Sequence, residues 1–142
     1  MEMFIDGAWC PATAGARQNV TAPATGAVFD TVPAGDATDA DIAIQSAARA
    51  FEVWKQVPMV ERARIQKACA QAMRDSAETV GAVLNRELGR PSPACVAEIT
   101  RSADLLDVYA EEGLRLRGEM PLMNVPNERV LVTKQPLGVV IA

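Results

Sequence analysis

The sequence predicts an α/β fold in which strands at both ends flank four consecutive helices, and three observations predict it. The first 35 residues are strand and turn material, punctuated by Pro, Gly, Asn and Thr. From Thr38 to Gly118, apolar residues recur at helical spacing. The last fourteen residues, Arg129 to Ala142, read R-V-L-V-T-K-Q-P-L-G-V-V-I-A: a polar-flanked stretch runs into Pro136, and an unbroken apolar run follows. Such a run marks a strand covered on both faces, as in a parallel sheet. It needs neighbouring strands and covering helices, and little chain remains to supply them. The expectation is an incomplete domain, the opening of a larger protein.

The elements follow in order. Residues 3–9 form a strand segment with Phe4, Ile5 and Trp9 around Asp6-Gly7, a pair that signals a hairpin when it lies between apolar residues. A second strand covers 17–22, Pro23-Ala24-Thr25-Gly26 turns the chain, and a third strand covers 27–32 before Pro33. Thr38 to Asp41 reads as a capping-box start for a helix over about 39–55. Ile44, Ala47, Ala48 and Phe51 line its apolar face, and Trp54 anchors its end. A second helix spans about 59–74 after Pro58, with Ile65, Ala68, Cys69 and Ala72 on one stripe. Asp75 and Glu78 open a third, 76–88, which Gly89 terminates and Pro91 blocks. Ser92-Pro93 caps a fourth, 93–116, whose stripe is Val96, Ile99, Ala103, Leu106 and Ala110, with Tyr109 as packing. A loop containing Pro121 and Pro126 leads to two closing strands. Arg129 to Gln135 suits an exposed arm or edge strand, and Leu137 to Ala142 suits a buried one.

Composition removes several classes of function. With 49% hydrophobic and 23% charged residues the chain reads as a globular protein. A net charge of -4, with both signs interspersed, offers no basic patch for nucleic acid or an anionic membrane. No apolar run approaches the roughly 20 residues of a membrane span. The N-terminus lacks a basic segment followed by an apolar one, so a cytoplasmic protein is expected. Three widely spaced cysteines, with no CxxC, argue against a disulfide framework or a structural zinc site.

Chemistry is scarce. There is no histidine, hence no Ser-His or Cys-His pair. Cys69 reads as a small buried hydrophobe, Cys95 as an inert thiol in a first helical turn, and Cys10 as a turn residue with no base beside it. No GxGxxG or Walker pattern cradles a phosphate. Arg115 and Arg117 suit a helix C-terminus, where the dipole welcomes cations. Glu87 completes the apolar step of Val80, Val83 and Leu84 with a carboxylate. Two readings stand for it: a helix-end residue facing solvent or paired with Arg86 or Arg90, or a carboxylate held at a cation or an interdomain contact.

The whole chain resembles the N-terminal segment of the NAD(P)-dependent aldehyde dehydrogenase superfamily. The ordered matches are Phe4 to Trp9, Ala22 to Gly26 with Val32-Pro33-Ala34, Ala47 to Phe51 with Trp54, and Glu61 to Ile65. Glu87-Leu88-Gly89-Arg90-Pro91 resembles the family's E-T-G-K-P turn, and Arg117-Gly118-Glu119 and Lys134 to Val140 complete the series. Three departures are Ala22 where the family has Asn before Pro, and Leu88 and Arg90 for the Thr and Lys of the turn.

The resemblance implies that residues 1–128 are the N-terminal part of a Rossmann-like cofactor-binding domain, 129–136 an oligomerisation-arm strand, and 137–142 the first core strand. It implies NAD or NADP for the intact enzyme, and a homo-oligomer partner or the remainder of the enzyme met through 129–135. The family's nucleophilic cysteine, general-base glutamate and cofactor lysine lie further along, so no catalytic or cofactor-binding residue is expected here and the chain alone should be inactive. The ending K-Q-P-L-G-V is closest in style to succinate-semialdehyde dehydrogenases. By position, Val20, Thr21 and Glu87 match a structural Na+ or K+ site of some members. The alternative is a non-catalytic helical module that docks on a full-length relative through 129–135.

Overall fold

The computed structural model describes residues 1–141. Four strands, β1 (Met3–Ile5), β2 (Ala8–Cys10), β3 (Arg17–Thr21) and β4 (Val28–Pro33), precede four helices, α1 (Ala37–Trp54), α2 (Met59–Asp75), α3 (Ala77–Leu88) and α4 (Ser92–Arg115). The strands form two separate antiparallel hairpins, β1-β2 and β3-β4. The expected strand over 3–9 is thus a hairpin, folded at Asp6-Gly7, where both residues adopt positive φ as a two-residue turn demands. In β3-β4 the register shifts between Val20 and Thr21, whose partners are Asp30 and Val28, leaving Phe29 as the bulged residue.

Each hairpin is tied down by side chains. Asp6 accepts from Ser46 Oγ at 3.0 Å and from Arg49 at 3.3 Å, fixing the first hairpin on α1. Arg17 reaches Glu2 at 2.9 Å and both the hydroxyl and the carbonyl of Thr31 at 2.9 Å, joining the N-terminus to the second hairpin. The buried carboxylate of Asp39 accepts from the amide and the hydroxyl of Thr13, at 2.9 and 2.6 Å, and from the amide of Asp36 at 3.0 Å. Asp36 in turn accepts from the amides of Thr38 and Asp39. The capping box is therefore Asp36 with Asp39, not Thr38 with Asp41, and the helix opens earlier than expected, at Ala37.

The helical core is a seam of small residues. Ala63 and Ala70 of α2, Ala77 and Gly81 of α3, and Cys95, Ala103 and Ala110 of α4 are buried, Ala70 and the last three completely. Small side chains let the helix axes approach. A Cβ on Gly81 would stand 2.8 Å from Val96 Cγ2 and 3.1 Å from its backbone nitrogen. Ion pairs lace the rim of the α2-α4 contact: Lys67 meets Glu111 at 3.1 Å, and Arg74 meets Asp104 and Asp107 at 2.7 and 2.6 Å. Partners recede along α4 as α2 advances, so the two helices run antiparallel. At this exposure solvent screens each pair, so packing dominates.

Several expectations are corrected here. The α2 face turned inward is that of Ala63 and Ala70, not the Ile65-Cys69 stripe, and Cys69 is exposed. On α3 the inward pair is Ala77 and Gly81, so Val80 and Val83 lie largely outside. Neither Asp75 nor Glu78 caps α3; Ser76 occupies that position and turns its hydroxyl back to the Ala72 carbonyl at 2.9 Å. Pro91 precedes α4, so Ser92 is its first residue and not its cap. Tyr109 is 63% exposed and Trp54 40%, so neither is packed within these elements. Along residues 129–141 the described residues make a single isolated bridge, between Val132 and Glu119, with the Glu119 amide donating at 3.0 Å and the Val132 amide at 2.8 Å. A strand exists only through a hydrogen-bonded neighbour, and the described residues offer none beyond that bridge. Residue 142, the end of the expected core strand, lies outside the described residues.

The exposed surface, 10505 Å², exceeds the roughly 7,100 Å² typical of a folded monomer of 15.1 kDa. No helix among the described residues is long and apolar enough to cross a membrane.

Two substitutions probe this packing. Gly81→Ala gains up to about 1 kcal/mol of helix propensity but crowds Val96, where overpacking costs about 1–3 kcal/mol. The backbone of Val96 cannot rotate away as a side-chain tip can, so a net loss of about 1–2 kcal/mol is expected in a urea melt; unchanged stability would mean the α3-α4 contact is looser than this geometry. Hydrogen bonds from the Thr13 side chain, then from the Thr13 and Asp36 amides, hold Asp39 below the usual carboxylate range and outweigh its desolvation. A carboxyl depressed on folding stabilises above its unfolded value near 3.8 and loses that contribution as pH falls through its folded value. Asp39→Asn should therefore melt earlier at neutral pH and show a shallower loss on acidification, followed by circular dichroism.

Candidate functional site

The family resemblance implies a ligand at Val20, Thr21 and Glu87. Val20 and Thr21 close β3 at its register shift, and Glu87 lies in the last turn of α3. The elements that bear them meet at two turns. In the first, the Gly26 amide donates to the Ala22 carbonyl at 2.8 Å and the Ala22 amide donates to the Ala27 carbonyl at 2.9 Å, which closes the β3-β4 connection. In the second, Gly89 ends α3 in the left-handed conformation, φ 67°, with its amide on the Asn85 carbonyl at 2.8 Å. A Cβ on Gly89 would lie 3.3 Å from Pro23 Cγ, so the hairpin turn rests on the helix end.

Further contacts fix this junction. The Arg86 guanidinium stacks on the face of Phe29, the bulged residue of β4, 4.2 Å from the ring centroid. Arg90 pairs with Glu98 of α4, and the Arg90 carbonyl accepts from the Asn85 side-chain amide and from Cys95 Sγ. A hollow of about 340 Å³ lies between hairpin and helix, lined among others by Ala22, Thr25, Phe29, Asn85 and Arg86.

These contacts decide between the two roles open to Glu87 only in part. Arg86 is engaged with Phe29 and Arg90 with Glu98, so neither pairs with it. Among the described residues Glu87 forms no ion pair or hydrogen bond, and it is exposed rather than packed with Val80 and Val83. As donors for a cation, one carboxylate and two backbone carbonyls form a partial oxygen set. The described residues contain no cluster of three or more His, Cys, Asp or Glu. The buried side-chain polar atoms without a partner, Glu2 Oε2 and Arg62 Nε, do not belong to the set.

The cysteines do not gather into a site. Cys95 is fully buried with Sγ toward the Arg90 carbonyl, and Cys10 is half-buried. At the end of α4, Arg115 pairs with Glu111 and Glu112.

A model of the aldehyde dehydrogenase family matches residues 9–142, and the chain belongs to that family. Among curated relatives it is 37% identical over 142 residues to a 4-(hydroxymethyl)benzenesulfonate dehydrogenase of Comamonas testosteroni, covering 99% of this chain and 30% of that protein. It is 31% identical over 141 residues to an NADP(+) succinate-semialdehyde dehydrogenase of Escherichia coli, covering 99% of this chain and 29% of that one. A crystal structure of succinate-semialdehyde dehydrogenase from Burkholderia pseudomallei superposes with a TM-score of 0.89 at 31% identity, covering 95% of this chain and 28% of that one. The chain thus spans about 30% of the length of the curated relatives it matches.

Replacing Gly89 tests the junction. A Cβ in left-handed backbone costs roughly 1–2 kcal/mol, and here it also meets Pro23 at 3.3 Å. Gly89→Ala should lower stability by about that amount and loosen the 22–26 turn, read as faster amide exchange at Gly26 and Ala22. Unchanged exchange at both would show that the turn does not depend on the helix end.

Proposed function

We propose that this chain is scaffold from the N-terminal part of an enzyme that oxidises an aldehyde to a carboxylic acid with NAD+ or NADP+. The observation that carries the reading is the family match over residues 9–142, supported by the shared fold over 95% of the chain. In that chemistry a cysteine thiolate adds to the aldehyde carbon to give a thiohemiacetal, and loss of hydride from that carbon leaves a thioester that water hydrolyses to the acid. The nicotinamide, when bound, accepts the hydride. No residue of this chain is assigned to a chemical step or to holding the cofactor.

Its residues do positioning work instead. The α2-α3-α4 seam and the turn at Gly89 form a rigid support for the rest of a cofactor-binding domain. Residues 129–136 serve as the oligomerisation-arm strand and 137–142 as the first core strand once neighbours pair with them. The arm meets a second copy of the enzyme, in the cytoplasm. The proposed substrate is of the succinate-semialdehyde type, after the K-Q-P-L-G-V ending.

The experiment is direct. The chain alone, with NAD+ or NADP+ and a panel of aldehydes that includes succinate semialdehyde, should produce no reduced cofactor above a protein-free blank. Turnover by the chain alone would overturn the scaffold reading.

Val20, Thr21 and Glu87 also find a role in such an enzyme. Their two backbone carbonyls and one carboxylate bind a structural Na+ or K+, completed by oxygens outside this chain. The free carboxylate of Glu87 supports this. A ligand bound only by the folded state raises the melting midpoint by mass action. In the enzyme that carries this segment, replacing sodium or potassium chloride by choline chloride at equal ionic strength should lower the midpoint, and Glu87→Gln should abolish the difference. Equal midpoints in all three salts would remove the cation from the proposal.

A further inference from the structure

We draw no further inference here: the strongest candidate, the shallow apolar groove between α1 and residues 138–141, lined by Ile44, Ala47, Phe51, Val139 and Val140, is an unpartnered face, and nothing in the structure shows what covers it.

Discussion

The structure depends on how closely α4 can be approached. Cys95, Ala103 and Ala110 recur along one side of that helix with no accessible surface, and the buried residues of α2 and α3 are Ala63, Ala70, Ala77 and Gly81. Small residues bury little area each, so this seam supplies less hydrophobic free energy than a core of Leu and Phe would. What it supplies is proximity, in which many weak dispersion contacts accumulate along two interfaces and little free volume remains. The same constraint explains why Gly81 sits against Val96 and Gly113 against Met59.

A seam of alanines leaves the large apolar side chains with nowhere to go inside these elements. Leu105, Val108 and Tyr109 of α4 and Val60 of α2 lie exposed. The Ile44-Ala47-Phe51 stripe of α1 does face apolar chain, but only the extended residues 138–141, which no helix among the described residues covers from the other side. Total exposure is accordingly about one and a half times that of a typical monomer of this mass. Surface of this kind fits a chain spanning some 30% of its relatives' length.

The Gly89 turn has a second role beside closing α3. Through it α3 touches the β3-β4 hairpin at Pro23 and reaches α4 through the Arg90-Glu98 pair. Arg90 ties the turn to α4 twice, through its side chain on Glu98 and through its carbonyl, which accepts from Cys95 Sγ. Glu87 is left without a partner among the described residues because its two neighbouring arginines are occupied on either side, by an aromatic face and by a carboxylate.

Side-chain spacing and turn signals specified the four helices, their order and the family. The 3.6-residue periods of α1 to α4, the stop at Gly89 and the hairpin at Asp6-Gly7 are local consequences of side-chain spacing and backbone freedom, and they need no distant contact. The α4 stripe was legible as well, because Ala103 and Ala110 lie on it. Helix phase and packing partners depend on contacts between distant segments. Ala63, Ala68, Ala70 and Ala72 of α2 lie on different sides of the helix, so composition cannot tell which alanines face inward. The choice fell to Ala63, Ala70, Ala77 and Gly81 because the smallest residues permit the closest approach to α4. The capping box likewise went to Asp36 and Asp39 because Thr13, 26 residues away, donates twice to Asp39. Even the apolar ending, so strand-like in sequence, stays unpaired among the described residues, because a strand is a property of two chain segments and not of one.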